Sequence, residues 1–334
     1  MLEFFLDKVK NQIDLSEEES FQVLQIIFSG QCKLEEIIAL LANLAIKGES
    51  VNEIIGFTKA MWQNAVKIDL LKDSIDTCGT GGSNRPRFNV STAAAFVMAA
   101  GGVPVIKHGN RGSKTANGSF DFLEALGISF EVENNQIVEL FNKTNLCFLF
   151  ARNFHLAMKH VSAARKQIPG RTIFNLIGPL CNPARVNYQV LGTTSSEIAA
   201  KLAHALAQFE TKKALVIVGA DGFDELSLTH DSLIYEVSKQ NINKIMFSPE
   251  SLNIKLNSSV VVGSALENAN LFVKLIQEGN IEHPNSLLIA LNAGAGFYCF
   301  GKKDSIIQGF EYAKELIINK KVYEKYEEVR FENL

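Results

Sequence analysis

From Ser74 onward the chain repeats one pattern: a short β-rich run, a glycine-bearing polar loop, then an alanine-rich helical run. Ser74–Cys78 leads to Gly79, Val103–Ile106 leads to Lys107-His108-Gly109, and Ala214–Val218 leads to Gly219-Ala220-Asp221-Gly222. Strands that alternate with helices pair in parallel, because the helix carries the chain back across one face of the sheet. Ligands of such sheets sit outside the carboxyl ends of the strands, so these three loops are predicted to converge.

Residues 1 to about 72 read differently. Apolar residues recur there at helical spacing, as in Phe21, Leu24, Ile27 and Phe28, then Ile37, Ile38, Leu41, Leu44 and Ala45. Ser16 and Glu19 are spaced as a capping box, and Gly30 supplies a stop about a dozen residues later. The expected fold class is α/β: a small all-helical N-terminal domain, residues 1–72, and a large α/β domain, residues 73–334, with a mainly parallel central sheet. A segment rich in Arg, Lys, His, Asn and Pro around 150–190 is expected to act as a helical crossover, with part of about 165–190 returning to the helical domain. The tail from Lys320 reads as a solvated final helix.

Composition narrows the function. Lys+Arg 33 against Asp+Glu 36 leaves a net charge of −3, which disfavours a general nucleic-acid or membrane-surface binder. Phe88–Ile106 and Pro284–Gly301 carry no charge but hold Asn, Ser, Thr, Gly or Pro, so both are expected in a soluble core rather than in lipid. Cys32, Cys78, Cys147, Cys181 and Cys299 are odd in number and form no CxxC pair, which points to reduced thiols and a cytoplasmic protein.

Four segments carry chemistry. Cys78-Gly79-Thr80-Gly81-Gly82-Ser83, with Arg85 and Arg87 ahead of Phe88-Asn89-Val90-Ser91-Thr92, joins a glycine loop to a helix start that Ser91 or Thr92 is expected to cap. Exposed backbone N–H groups and a helix N-terminus bind phosphate. The loop is neither a Walker A sequence nor GxGxxG, and a tight turn before a buried helix is the bland alternative. Lys107 to Ser119 holds three cations, an imidazole, two amides and three hydroxyls in thirteen residues, a donor set for an oxyanion-rich ligand; a solvated loop is its alternative. Asp221, Asp224 and Glu225 follow a strand, where carboxylates suit Mg2+ held jointly with substrate phosphates or simply cap the next helix. In the fourth, His155, Met158 and Lys159 are spaced to share a helix face, with Arg165 beyond them. Packing histidines and a surface arginine are the alternative there. No HExxH, GxSxG or reactive-looking cysteine is present, so no covalent nucleophile or catalytic zinc is expected.

These segments together resemble the anthranilate phosphoribosyltransferases of tryptophan biosynthesis. The resemblance runs essentially end to end through Gly79-Thr-Gly-Gly, Asn89-Val-Ser-Thr, Lys107-His-Gly-Asn-Arg, Arg171-Thr-Ile-Phe-Asn-Leu-Ile-Gly-Pro-Leu and Asp221-Gly-Phe-Asp-Glu-Leu-Ser. It implies transfer of 5-phosphoribosyl from PRPP to the amine of anthranilate, with release of pyrophosphate, in a Mg2+-dependent homodimer that meets through its helical domain. It also implies PRPP contacts at Gly79, Gly82, Ser83, Arg87, Asn89, Val90, Ser91, Thr92, Lys107, Asn110, Arg111, Thr115 and Ser119. Anthranilate contacts are implied at Gly79, His108, Asn110, His155, Arg165 and Gly178, and metal contacts at Ser91, Asp224 and Glu225.

The chain departs from that pattern at Ser83, where Asp is common, at Arg87, where Thr or Ser is common, and at Arg152, Ala163 and Pro169. The loop Ser113-Lys114-Thr115-Ala116-Asn117 replaces a serine-rich one. Two other readings stay open: a pyrimidine nucleoside phosphorylase, and an inactive transferase-like paralogue that binds nucleic acid through Arg85, Arg87, Lys114, Lys159 and Lys166.

Overall fold

The computed structural model describes residues 1–71, 73–81, 87–112, 116–256 and 258–332. Four helices open the chain: α1 (Glu3–Lys10), α2 (Glu17–Phe28), α3 (Leu34–Lys47) and α4 (Val51–Gln63). α2 starts as its spacing predicts. Ser16 Oγ accepts from the Glu19 N–H at 3.1 Å, Glu19 accepts from the Ser16 N–H at 2.8 Å, and Gly30 follows the helix at φ +76°. Ser50 and Glu53 repeat the device at α4. The apolar stripes of α2 to α4, among them Leu24, Ile27, Leu41, Leu44 and Phe57, share one core with Val161 and Ala164 and with Ile173, Phe174 and Ile177. The segment that carries these residues, between about 150 and 188, therefore runs over the N-terminal helices, and the core beneath it continues to Leu202 and Val216.

Seven strands form one sheet: β1 (Ile75–Gly79), β2 (Val105–Gly109), β3 (Leu146–Phe150), β4 (Tyr188–Thr193), β5 (Lys213–Gly219), β6 (Ser232–Ser238) and β7 (Asn241–Phe247). Their order is β3-β2-β1-β4-β5-β6-β7, with the first five parallel and β6 and β7 antiparallel at one edge. The mainly parallel sheet of the expected α/β class is thus present, with an edge hairpin that the loop-and-helix pattern did not disclose.

Alternation along the strands divides the interior. Ile75 and Val105 face the core built on α5 (Val90–Ala100), whereas Ile106, Cys147 and Leu149 face a smaller one. The two uncharged stretches lie inside. Val90–Ala99 is buried apart from Ser91, and the helix Pro284–Phe300 is buried almost throughout. Small residues permit this packing: a Cβ on Gly296 would fall 1.9 Å from Met98 Sδ, so only glycine lets the two helices approach so closely. Among the described residues no helix is long and apolar enough to cross a membrane.

The final helix, Lys321–Glu332, corrects an expectation. It buries Val322, Tyr326 and Val329, and Tyr326 donates to the Leu126 carbonyl at 3.0 Å. One apolar face three to four residues apart is enough to dock a helix that is charged elsewhere.

Strand order reverses at β1: β2 and β3 lie on one side, β4 and β5 on the other. Such a reversal leaves a crevice beyond the strand ends, because the two outgoing chains turn away from each other.

Candidate active site

The crevice is shaped by backbone approach. The Thr80 N–H donates to the Gly192 carbonyl at 2.9 Å, which joins the ends of β1 and β4. The loop after β5 then crosses both strand ends. A Cβ on Gly79 would meet Asp224 Oδ2 at 2.4 Å, and one on Gly192 would meet the Asp224 carbonyl oxygen at 1.6 Å. Two glycines on neighbouring strands thus seat Asp224 directly over the crevice. Gly192 was not singled out from sequence, since nothing local marks a glycine that matters only to a residue thirty-two positions later.

Beyond β1, residues 82–86 and 113–115 lie outside the described set, and with them Gly82, Ser83 and Thr115. The chain resumes at Arg87 and enters α5 with Asn89 as its N-cap residue. Neither Ser91 nor Thr92 caps this helix, contrary to expectation; both lie within its first turn. Asn89 does not cap it with its side chain either, because its amide donates to the carbonyls of Asn117 and Gly118 at 3.3 Å each. The helix N-terminus is therefore left open, and its free N–H groups and dipole favour an anion. Asn268, buried and distant in sequence in the helix Ala265–Glu278, donates to the Arg87 carbonyl at 2.9 Å and to Asn89 Oδ1 at 3.0 Å, and reaches Asn117 Oδ1 of the loop after β2 at 3.4 Å.

That second loop is knitted by Asp121, whose Oδ2 accepts from the N–H groups of Gly112 (2.8 Å) and Gly118 (2.7 Å). The position of Asp121 three residues after Gly118 is a helix-start signal that a closer reading of the sequence would have caught. The cations of this loop do not all face a ligand. Lys107 is buried, with Nζ donating to the Thr77 carbonyl and to Ser91 Oγ at 3.4 Å, so it braces β1 against the first turn of α5. Arg111 forks onto Glu124 at 2.8 Å through both nitrogens, bonds Asp121 at 3.0 Å and lies over the Phe130 ring. Its guanidinium is thus paired with two carboxylates of the same loop and helix. Ser119 Oγ donates to the Asn110 carbonyl at 3.2 Å, and Asn110 itself is exposed.

On the opposite face of the sheet two histidines meet, with ring centroids 5.2 Å apart. His155, Met158 and Lys159 do not share a helix face. The helix Ala151–Phe154 ends at His155, a single 3-10 turn spans Leu156–Met158, and a new helix starts at Lys159. The break turns the His155 ring inward, where Nε2 lies 3.0 Å from the Cys181 carbonyl, while Lys159 is exposed. Burial pulls the His155 imidazole down to about 4. Burial, then the neighbouring His155 and Lys107, holds His108 well below the usual histidine range despite a backbone hydrogen bond at Gly178. Both rings are neutral at physiological pH, and His108 Nε2 and His155 Nδ1 have no partner.

Asp76 and Asn182 support this side. Asn182 Nδ2 donates to Asp76 Oδ2 and to the Ile106 carbonyl, both at 2.9 Å, which fastens the chain after Gly178-Pro179 to β1 and β2. Burial raises the Asp76 carboxyl to about 6, opposed by Lys107 and by its hydrogen bonds. Arg165, in the helix Lys159–Gln167, stacks over the Phe174 ring with 5.4 Å to the centroid. No hydrogen bond or ion pair to Arg165 occurs among the described residues, and burial pulls its guanidinium below the usual arginine value. A desolvated guanidinium with no anionic partner has the chemistry to take up a carboxylate.

Asp224 and Glu225 close the crevice. Burial, then the adjacent Asp224 charge, pushes the Glu225 carboxyl well above the usual carboxylate range. Among the described residues no three His, Cys, Asp or Glu side chains gather closely enough to hold a cation by themselves. Two hard oxygen donors beside an anion-binding helix end nevertheless fit Mg2+, which takes one or two carboxylates and completes its shell with water and substrate phosphate.

A reversed parallel sheet with an open helix end and paired carboxylates, set beneath a helical bundle, defines a two-domain glycosyl transferase. Residues 71–322 match the α/β domain of the glycosyl transferase family, and residues 5–65 match its helical bundle domain. Anthranilate phosphoribosyltransferases from Shouchella clausii and Geobacillus kaustophilus are each 39% identical to the chain, over 97% and 99% of its length and 95% and 98% of theirs. The crystal structure of anthranilate phosphoribosyltransferase from Thermus thermophilus superimposes with a TM-score of 0.91 at 36% identity, covering 98% of both chains. The Saccharomyces cerevisiae enzyme in complex with PRPP and Mg superimposes with a TM-score of 0.87 at 25% identity, covering 95% of this chain and 93% of that one. The chain belongs to the anthranilate phosphoribosyltransferase family.

Proposed function

We propose that the protein transfers the 5-phosphoribosyl group of PRPP to the amine of anthranilate, giving N-(5-phosphoribosyl)anthranilate and pyrophosphate, in tryptophan biosynthesis. The observation that carries this reading is the open N-terminus of α5 beside Asp224, at the point where the strand order reverses. Backbone N–H groups from Gly79 to Gly82 and from Asn89 to Thr92, with Ser83 and Arg87, hold the phosphates of PRPP. Asn110, Arg111, Thr115 and Ser119 are the further PRPP contacts in this reading, and Lys107 braces the strand end beneath them. Ser91, Asp224 and Glu225 hold Mg2+, which when bound neutralises the departing pyrophosphate.

Anthranilate lies against Gly79, Asn110 and Gly178, with Arg165 fixing its carboxylate. Its aromatic amine is already unprotonated at neutral pH, so the site supplies orientation more than basicity. Two neutral imidazoles suit that task, because neither His108 nor His155 places a positive charge beside the attacking nitrogen. As the anomeric C–O bond to pyrophosphate breaks and the C–N bond forms, the nitrogen sheds a proton. His108 Nε2, buried and without a partner, is an acceptor of the right type.

The protein is further read as a cytoplasmic homodimer joined through its helical half, a reading supported by free cysteines and by exposed Phe4 and Ile46 on α1 and α3. The test is loss of anthranilate fluorescence with purified protein, PRPP and Mg2+, with each omitted in turn. Loss that needs both is the expected result. Unchanged fluorescence with folded protein would refute the acceptor, and phosphate-dependent release of a pyrimidine base would indicate a nucleoside phosphorylase instead.

A further inference from the structure

Asp224 already has a cation. Arg87 Nη1 donates to Asp224 Oδ1 at 2.7 Å, with the two side chains 21% and 5% exposed. Neither backbone is free to part them. The loop carrying Asp224 is wedged over Gly79 and Gly192. The Arg87 carbonyl accepts from Asn117 Nδ2 at 3.0 Å and from Asn268 Nδ2 at 2.9 Å. What remains movable is the Arg87 side chain, the more exposed member of the pair, which stands at the entrance to α5.

A carboxylate this deeply buried is costly without a positive partner. Arginine provides one with a planar, permanently charged group. We propose that Arg87 is a resident counter-cation for Asp224: it neutralises the carboxylate before substrates arrive, and a divalent cation binds there only by exchange with the guanidinium. This rests on the reading of Asp224 as a metal residue. The exchange makes the cation and the phosphorylated donor interdependent, because the released guanidinium finds its new partner in the donor's pyrophosphate and the coupling is reciprocal. In the absence of donor the guanidinium competes, and the cation binds weakly.

Mn2+ alone serves as the probe, with binding to the full chain followed by electron paramagnetic resonance in the absence of PRPP. Arg87→Gln removes the charge and is expected to tighten Mn2+ binding by up to about fivefold, the worth of a partly exposed ion pair. Arg87→Lys retains a cation and should bind Mn2+ as the unaltered protein does. Adding Asp224→Asn to Arg87→Gln should erase the gain. Unchanged Mn2+ affinity in folded Arg87→Gln, together with weaker binding in Asp224→Asn, would overturn the counter-cation while leaving the metal reading intact. If Asp224→Asn has no effect in either background, the metal reading itself falls. Should Arg87→Gln fail to fold, the unaltered protein supplies a second measurement. The Arg87 side-chain Nε–H resonance, identified by its loss in Arg87→Lys, is expected to shift during Mg2+ titration with the midpoint of metal binding. A resonance that stays fixed while Mg2+ binds overturns the proposal.

Discussion

Burial sets the charge state of the side chains on the acceptor side, and each consequence can be measured. The folded value of about 4 for His155 lies below the ordinary histidine value of about 6.5. Protons therefore favour the unfolded chain, and the stability held above pH 6.5 is lost as pH falls toward 4. Asp76, raised to about 6, acts in the opposite sense: its stabilisation is present at low pH and lost as pH rises through 6. Comparison with His155→Gln cancels the Asp76 contribution. Between pH 7 and pH 5 the unaltered protein is expected to lose about 2 kcal/mol more than His155→Gln in urea unfolding, and equal losses would show that the ring titrates normally. Arg165→Ala removes the unpaired guanidinium over Phe174. It is expected to raise KM for anthranilate about 10- to 100-fold, the worth of a charge-assisted pair, with KM for PRPP within about twofold; equal rises would refute the carboxylate role.

The elements explain why those residues sit where they do. α5 carries no side-chain cap because Asn89 is used to tie two loops together, so the chain gives up local helix stability in return for an anion-binding end. β4 contributes Thr193, whose hydroxyl accepts from Thr80 Oγ1 at 3.3 Å, and the absence of a side chain at Gly192. Gly192→Ala forces its Cβ against the Asp224 carbonyl oxygen. Overpacking of this kind costs about 1–3 kcal/mol, and the displaced carboxylate should lower kcat more than either KM. A variant with native melting temperature and native kcat would show that the Asp224 loop is free to lift.

Across the whole molecule, two large cores and a smaller one share one sheet. One face is filled by α5 and the helix Pro284–Phe300, while the other is capped by the N-terminal bundle together with the returning segment after β3. The bundle keeps Phe4 64% exposed and Ile46 75% exposed. The proposed homodimer through this bundle predicts that Phe4→Glu with Ile46→Glu gives a monomer by light scattering with unchanged circular dichroism. A dimer that persists would place the interface elsewhere.

The α/β class, the helical start and the polar loops at the strand ends were legible because each depends on local chemistry. A glycine loop, a capping pair or a carboxylate after a strand is recognised from neighbours a few residues away. The inward His155 ring was misread because a helical spacing gives no sign of a break that only the packing around Cys181 imposes. Arg111 and Lys107 read from sequence as free cations, and only the fold shows the protein partners they also hold. Asp76 and Asn182, 106 residues apart, Asn268 with Arg87, and Gly192 under Asp224 left no trace in sequence spacing. By itself the sequence determined which segments become strands, helices and polar loops, since backbone propensity and periodicity act over a few residues. Only the tertiary structure decided which polar groups face the crevice and which are spent on one another. Buried donors, acceptors and charges must find partners wherever the fold brings them, whatever their distance along the chain.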